Sequence, residues 1–190
     1  MKTMLVLSMG ALLLAGTLSA QTPVPEWQAG VDKMKSLIQT NPAQASEEVG
    51  ELLKGKNKKN VDLVTSVAHV YLDAGKLTEA QEYLAMAKKA DNKDPKVSVL
   101  EGDIALAQKN IGQACQLYEQ AIYFDPNCKE AYLKYAQAYK SASPALAIEK
   151  LEQLKAVDPN CLEADRELAE VYYSSNRFGK SAVPVYHYAN

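Results

Sequence analysis

Histidine is nearly absent: the chain of 190 residues has two, His69 and His187. No His-Glu-x-x-His, Gly-x-Ser-x-Gly or complete Gly-x-x-x-x-Gly-Lys-Ser/Thr pattern occurs, so zinc protease, hydrolase-elbow and phosphate-loop chemistry have no carrier in the sequence. His69 reads as a groove or surface residue rather than a general base. Adjacent acids such as Glu47-Glu48 point in different directions on a helix and read as solvated charge. Cysteine is scarce too, at three, and none lies in a Cys-x-x-Cys, which excludes the usual structural zinc spacing. The odd number cannot pair fully within the chain, and Cys115, Cys128 and Cys161 read as structural thiols. Neither metal nor organic cofactor is expected.

Charge of one sign is lacking as well. The formal net charge is −2, and the one dense basic cluster is Lys54, Lys56, Lys58 and Lys59. Gly55, Asn57 and Asn60 interleave these lysines, and no aromatic stands among them to stack a base, so they read as a solvated loop. Nucleic acid is excluded as a partner class.

Long apolar runs are confined to the first residues. Lys2 precedes a nearly uncharged stretch from Met4 to Leu18, then Leu18-Ser19-Ala20 in front of Gln21. The stretch is shorter than the roughly 20 residues a membrane span needs, and small residues at Gly16 and Ala20 suit signal peptidase. The sequence therefore predicts a signal peptide over residues 1–20, cut after Ala20, and an exported chain, periplasmic or secreted, with no stable membrane insertion after cleavage. No cysteine stands at the cut to take a lipid. Removing the segment leaves 20 basic residues against 23 acidic ones, a net charge of −3.

What the chain has in abundance is self-similarity. Ala68, Tyr71, Ala80, Leu84, Ala87 and Asp91 correspond to Gly102, Ala105, Ala114, Tyr118, Ala121 and Asp125, every pair separated by one constant interval of about 34 residues. Val64, Val67, Ala68, Tyr71 and Leu72 recur at helical spacing, Ala74-Gly75-Lys76 interrupts them, and Leu77, Ala80, Leu84 and Ala87 resume. The blocks that follow repeat this plan, with Asp-Pro-Asn at Asp125–Asn127 and Asp158–Asn160 closing each second helix. Small residues at Ala68, Gly102, Ala136 and Ala169, and at Ala80, Ala114 and Ala147, let paired helices approach closely. Tyr71, Tyr132, Tyr135, Tyr139 and Tyr172 fall where bulk is needed and read as core.

By these residues the chain resembles the tetratricopeptide-repeat proteins, from Val61 to about Ala182. The resemblance implies an all-α fold, a right-handed superhelical solenoid of antiparallel helix pairs. The expected division is 21–60 for an amino-terminal helix pair acting as degenerate repeat or cap, 61–94, 95–128 and 129–161 for three repeats, and 162–190 for an incomplete fourth. Ser98 and Asp165 stand where the family has a large apolar or aromatic residue, Asn92 replaces a proline, and the third repeat is one residue short at Ser143-Pro144. In the leading pair Trp27, Val31, Met34, Leu37 and Ile38 form one stripe and Ala45, Val49, Leu52 and Leu53 another, with Trp27 sealing the core's end.

The resemblance further implies a concave surface lined by first helices. It would comprise Asp62, Thr65, His69 and Asp73, then Lys96, Val99, Asp103 and Leu106, then Glu130, Leu133, Gln137 and Lys140, then Glu163, Arg166, Glu170 and Tyr173. The lysine and asparagine set with which some relatives clamp a chaperone's carboxyl terminus is not reproduced. The implied function is a non-catalytic scaffold that binds a protein or peptide, extended or helical with some basic character, along this groove. Two alternatives come from the end of the chain, where Pro184 falls inside the expected last helix and Val183, Val185, Tyr186 and Tyr188 lack a capping helix. One is self-association through that end; the other is that the chain is the front of a longer array, envelope machine or enzyme.

Overall fold

A computed structural model describes residues 24–175. The predicted signal segment, Pro184 and the expected last helix lie outside the described residues. Within them the chain is helical and has no strand: α1 Gln28–Leu37, α2 Pro42–Leu52, α3 Val61–Asp73, α4 Leu77–Ala90, α5 Pro95–Ala107, α6 Ile111–Phe124, α7 Lys129–Tyr139, α8 Pro144–Val157 and α9 Leu162–Ser174. The lysine cluster is solvent-exposed and forms a 3₁₀ turn, Gly55–Lys59, preceded by Lys54 and pinned where the Asn57 side-chain amide donates to the carbonyl of Leu52 at 2.9 Å. Gly50 to Lys56 has the spacing of the start of a phosphate loop, but it forms the end of α2 and this turn, and Asn57 follows where a hydroxyl is required.

Local chemistry sets the helix ends. Asn41, Asn60 and Asn110 each accept a backbone N–H three residues on, at 3.2 Å, and so cap α2, α3 and α6. Pro42, Pro95 and Pro144 open their helices, where a missing N–H costs nothing. Asp91, Asp125 and Asp158 close α4, α6 and α8 in one manner, each carboxylate accepting the N–H two residues on at 2.9, 2.9 and 3.2 Å.

The turns inside two helix pairs need a left-handed residue. Gly75 meets that need between α3 and α4 at φ +74°, and Lys109, one repeat later, meets it between α5 and α6 at φ +63°. In both turns the next N–H reaches back five residues at 2.9 Å, Lys76 to Tyr71 and Asn110 to Ala105. A side chain in that region costs about 1–2 kcal/mol. Lys109→Gly is therefore expected to stabilise the fold by about 1 kcal/mol, read as a rise in urea midpoint at unchanged slope.

Helices pack in consecutive pairs, and the first helices α1, α3, α5, α7 and α9 also pack in series, forming one face of a solenoid. The leading pair joins this stack through α1 on α3, while the 3₁₀ turn packs against α3 and α4. Three contiguous apolar clusters make the core, around Met34, Val64 and Leu100, around Tyr118 and Tyr135, and around Leu151 and Val171. A pair alone could not bury its apolar face; stacking supplies the rest. Ala80, Ala114 and Ala147 are fully buried, as are Ala68 and, nearly so, Ala136. Ala169 is exposed, beside Lys140, Arg166, Glu170 and Tyr173, and the helix it is expected to pack against lies outside the described residues. Trp27 packs half-buried on the first cluster.

Candidate binding groove

The middle of the inner face is built on a buried acid. Asp103 sits in α5 at 8% exposure and accepts a hydrogen bond from the Tyr118 hydroxyl of α6 at 2.6 Å. Lys134 of α7 pairs with its other oxygen at 2.9 Å, and His69 Nδ1 of α3 stands 3.7 Å from that same oxygen. Tyr118 is fully buried, and burial first and Asp103 second push its phenol well above the usual range. One carboxylate thus ties three first helices and one second helix together.

A second acid repeats the device. Glu167 of α9, 6% exposed, accepts from the Gln137 side chain at 3.1 Å and from Lys140 Nζ at 3.3 Å, and Lys140 also pairs with Glu170. The hydrogen bond to Glu170 is the main cause that raises the Lys140 ammonium, and the same bond lowers the Glu170 carboxyl. At the helix starts, Lys96 pairs with Asp62 and Lys129 with Glu163 at 2.9 Å. Lys129 holds the exposed Glu163 carboxyl down to about 2.

Toward the amino-terminal end the face deepens into a cleft of about 340 Å³, walled by Pro25 and Trp27 and floored by α3, α5 and α7. Asp62, Thr65, His69, Lys96, Val99 and Glu130 line it together. Thr65 and Val99 form its floor rather than an accessible surface, at 4% and 1% exposure, with the Thr65 hydroxyl turned back to the Val61 carbonyl at 2.8 Å. Leu106 and Leu133 are half-buried and pack on the core. Gln137, Lys140 and Glu170 meet through the second buried acid, Arg166 joins Lys140, Glu170 and Tyr173 in a shallow depression, and Tyr173 is 73% exposed. Asp73, at the end of α3, is exposed and lies away from both hollows.

Sequence reasoning missed Lys134 and Glu167. They stand one helical turn before or beside the chosen residues, in the slot that the preceding repeat fills with the buried Leu100. Two opposite charges, one repeat apart in a slot that holds Ser66 and the buried Leu100 in the two repeats before, were the available signal. Ser66, Pro25 and Trp27 also line the cleft without having been singled out for it.

Residues 65–127 match the tetratricopeptide-repeat family pattern. The fold is that of a tetratricopeptide-repeat solenoid. A thermophilic tetratricopeptide-repeat protein of Thermus thermophilus superposes with a TM-score of 0.60 at 18% identity, covering 79% of this chain and 83% of that one. Pseudomonas aeruginosa PilF gives 0.59 at 19% identity over 80% of this chain and 69% of its own. The first repeat domain of Spaghetti (RPAP3), solved with the HSP90 peptide SRMEEVD, gives 0.54 at 18% identity over 63% and 98%. No curated protein matches the sequence. The buried acids Asp103 and Glu167 thus lie on the first-helix series, on α5 and α9, and Tyr118 on α6.

Proposed function

We propose that this tetratricopeptide-repeat chain is an exported, non-catalytic scaffold that holds a segment of a partner protein along the groove of first helices. The observation that carries the reading is the cleft between Trp27 and the α3–α5–α7 face, continuous with the series of first helices. Relatives of the same fold support peptide binding as a class, since the Spaghetti domain was solved with one bound. Export rests on residues 1–20 alone.

The segment is basic rather than acidic. Lys96, Lys134 and Lys140 are each spent on an acid of a neighbouring repeat, so they are not free to clamp a carboxylate, while Glu130 lines the cleft exposed and without an ion pair. The test is capture from an envelope extract by the chain from Gln21 to Asn190, beside His69→Ala/Arg166→Ala/Tyr173→Ala and beside Glu130→Lys. Both variants are expected to keep their helical circular dichroism. The triple variant loses the captured protein, and Glu130→Lys weakens its affinity about tenfold at low salt. Equal capture by all three chains would overturn the groove assignment.

A further inference from the structure

The cleft at the amino-terminal end of the inner face combines an apolar wall with an acid. Pro25 and Trp27 form the wall, and Glu130 stands exposed in the same lining. We propose that this cleft is a subsite for an arginyl side chain of the partner segment, its guanidinium paired with the Glu130 carboxylate and its flat face toward Trp27. The site rests on the groove of the proposed function and narrows that basic segment to one side chain at one place.

The chain's own ion pairs single out Glu130. Asp62, Lys96, Glu130 and Glu163 occupy the same place in the first helices α3, α5, α7 and α9. Asp62 is answered by Lys96 and Glu163 by Lys129, each from a neighbouring first helix. Lys96 lines the cleft too, but its hydrogen bond goes to Asp62, the main cause that raises its ammonium, and Glu130 acts on it only through space. Among the described residues, the acid of this column left without an ion pair is the one that opens on the cleft.

A guanidinium suits this lining better than an ammonium does. It offers one carboxylate two parallel N–H donors, is weakly hydrated, and stacks on an aromatic face, whereas a lysyl group is a strongly hydrated point charge. The cleft, at about 340 Å³, is at the low end of the range for ligand sites, which starts at roughly 300 Å³. One long side chain is the occupant it fits.

Trp27 is the single tryptophan of the chain, so its fluorescence reports on the cleft. The chain from Gln21 to Asn190 is titrated with N-acetyl-arginine amide, N-acetyl-lysine amide and N-acetyl-citrulline amide, the last having the shape of arginine without its charge. A saturable change is expected with the arginine amide, binding about tenfold weaker with the lysine amide, and none with the citrulline amide. Glu130→Gln weakens the arginine amide about tenfold, while Glu152→Gln, which removes an exposed acid from α8, leaves it unchanged. Trp27 also borders a depression with Glu26, Glu48 and Glu51, so an undiminished response in Glu130→Gln puts the ligand there and overturns the site. Equal affinity for the lysine or citrulline amide overturns the arginyl assignment. Absence of any saturable response overturns the subsite, and capture then separates the two readings: the groove stands if Glu130→Lys still weakens capture, and falls with the subsite if it does not.

Discussion

Asp103→Ala loses about 3 kcal/mol of folding stability, a shift large enough to bring the chain near its unfolding threshold. The loss has two sources. The Tyr118 hydroxyl, on a fully buried ring, is left without its 2.6 Å acceptor, and Lys134 loses its 2.9 Å partner in a half-buried place. Asp103→Asn separates the two, because the amide oxygen still accepts from Tyr118 while the charge facing Lys134 is gone; it costs about half as much. Urea denaturation followed by circular dichroism checks both, with unchanged slope showing that the unfolded state is not the cause. In Asp103→Ala/Tyr118→Phe part of the loss returns, since no orphaned hydroxyl remains. A cost below about 1 kcal/mol for Asp103→Ala would mean that the buried carboxylate barely outweighs its own desolvation.

Gly102→Val is the other severe change, at about 3–4 kcal/mol, because it overpacks a filled core. A Cβ built on Gly102 lies 2.5 Å from Tyr118 Cε1, 2.8 Å from Cδ1 and 3.0 Å from Cζ. The ring has nowhere to go: it is fully buried, and its hydroxyl is held by Asp103, the next residue along from Gly102. Overpacking of this kind costs about 1–3 kcal/mol for one methyl, and branching at Cβ adds to it. For Gly102→Ala, helix propensity returns about 1 kcal/mol, so the net loss is smaller, about 0–2 kcal/mol. Gly50 is the control, since nothing lies within 4 Å of its built Cβ; Gly50→Ala in α2 is expected to gain up to about 1 kcal/mol. Thermal and urea unfolding of the three variants side by side would show whether crowding or propensity governs.

The architecture was legible because the same small and bulky residues recur at one period. Ala68 and Gly102, or Ala80, Ala114 and Ala147, announce close helix approach without any knowledge of contacts, and the structure buries them. The face of the groove was legible for the same reason: one first-helix position carries His69, Asp103, Gln137 and Glu170 in turn. Depth was not. Thr65 and Val99 share a column with Leu133 and Arg166, yet the first two are buried, Leu133 half-buried and Arg166 exposed, because each depends on what the neighbouring repeat sets above it. Lys134 and Glu167 were hidden by periodicity itself, standing in a slot where Leu100 is core. Ser98 shows the opposite: a departure from the pattern, read from sequence as a weakness of one repeat, is 3% exposed once α4 and α6 are placed around it, so neighbouring helices close over the missing bulk.

The ion pairs along the inner face give the solenoid a mechanical character. Asp62 with Lys96, Asp103 with Lys134, Lys129 with Glu163, and Lys140 with Glu167 and Glu170 each join the first helices of adjacent repeats, so each joint from α3 to α9 carries a clasp. Salt screens the exposed clasps, Asp62 with Lys96 and Lys129 with Glu163, far more than those built on the buried Asp103 and Glu167. Were the proposed basic segment to take over Asp62 or Glu170, it would open the clasp it replaces, so occupancy and the angle between adjacent repeats would be coupled, and bending the stack by other means would change the grip on the segment by the same factor.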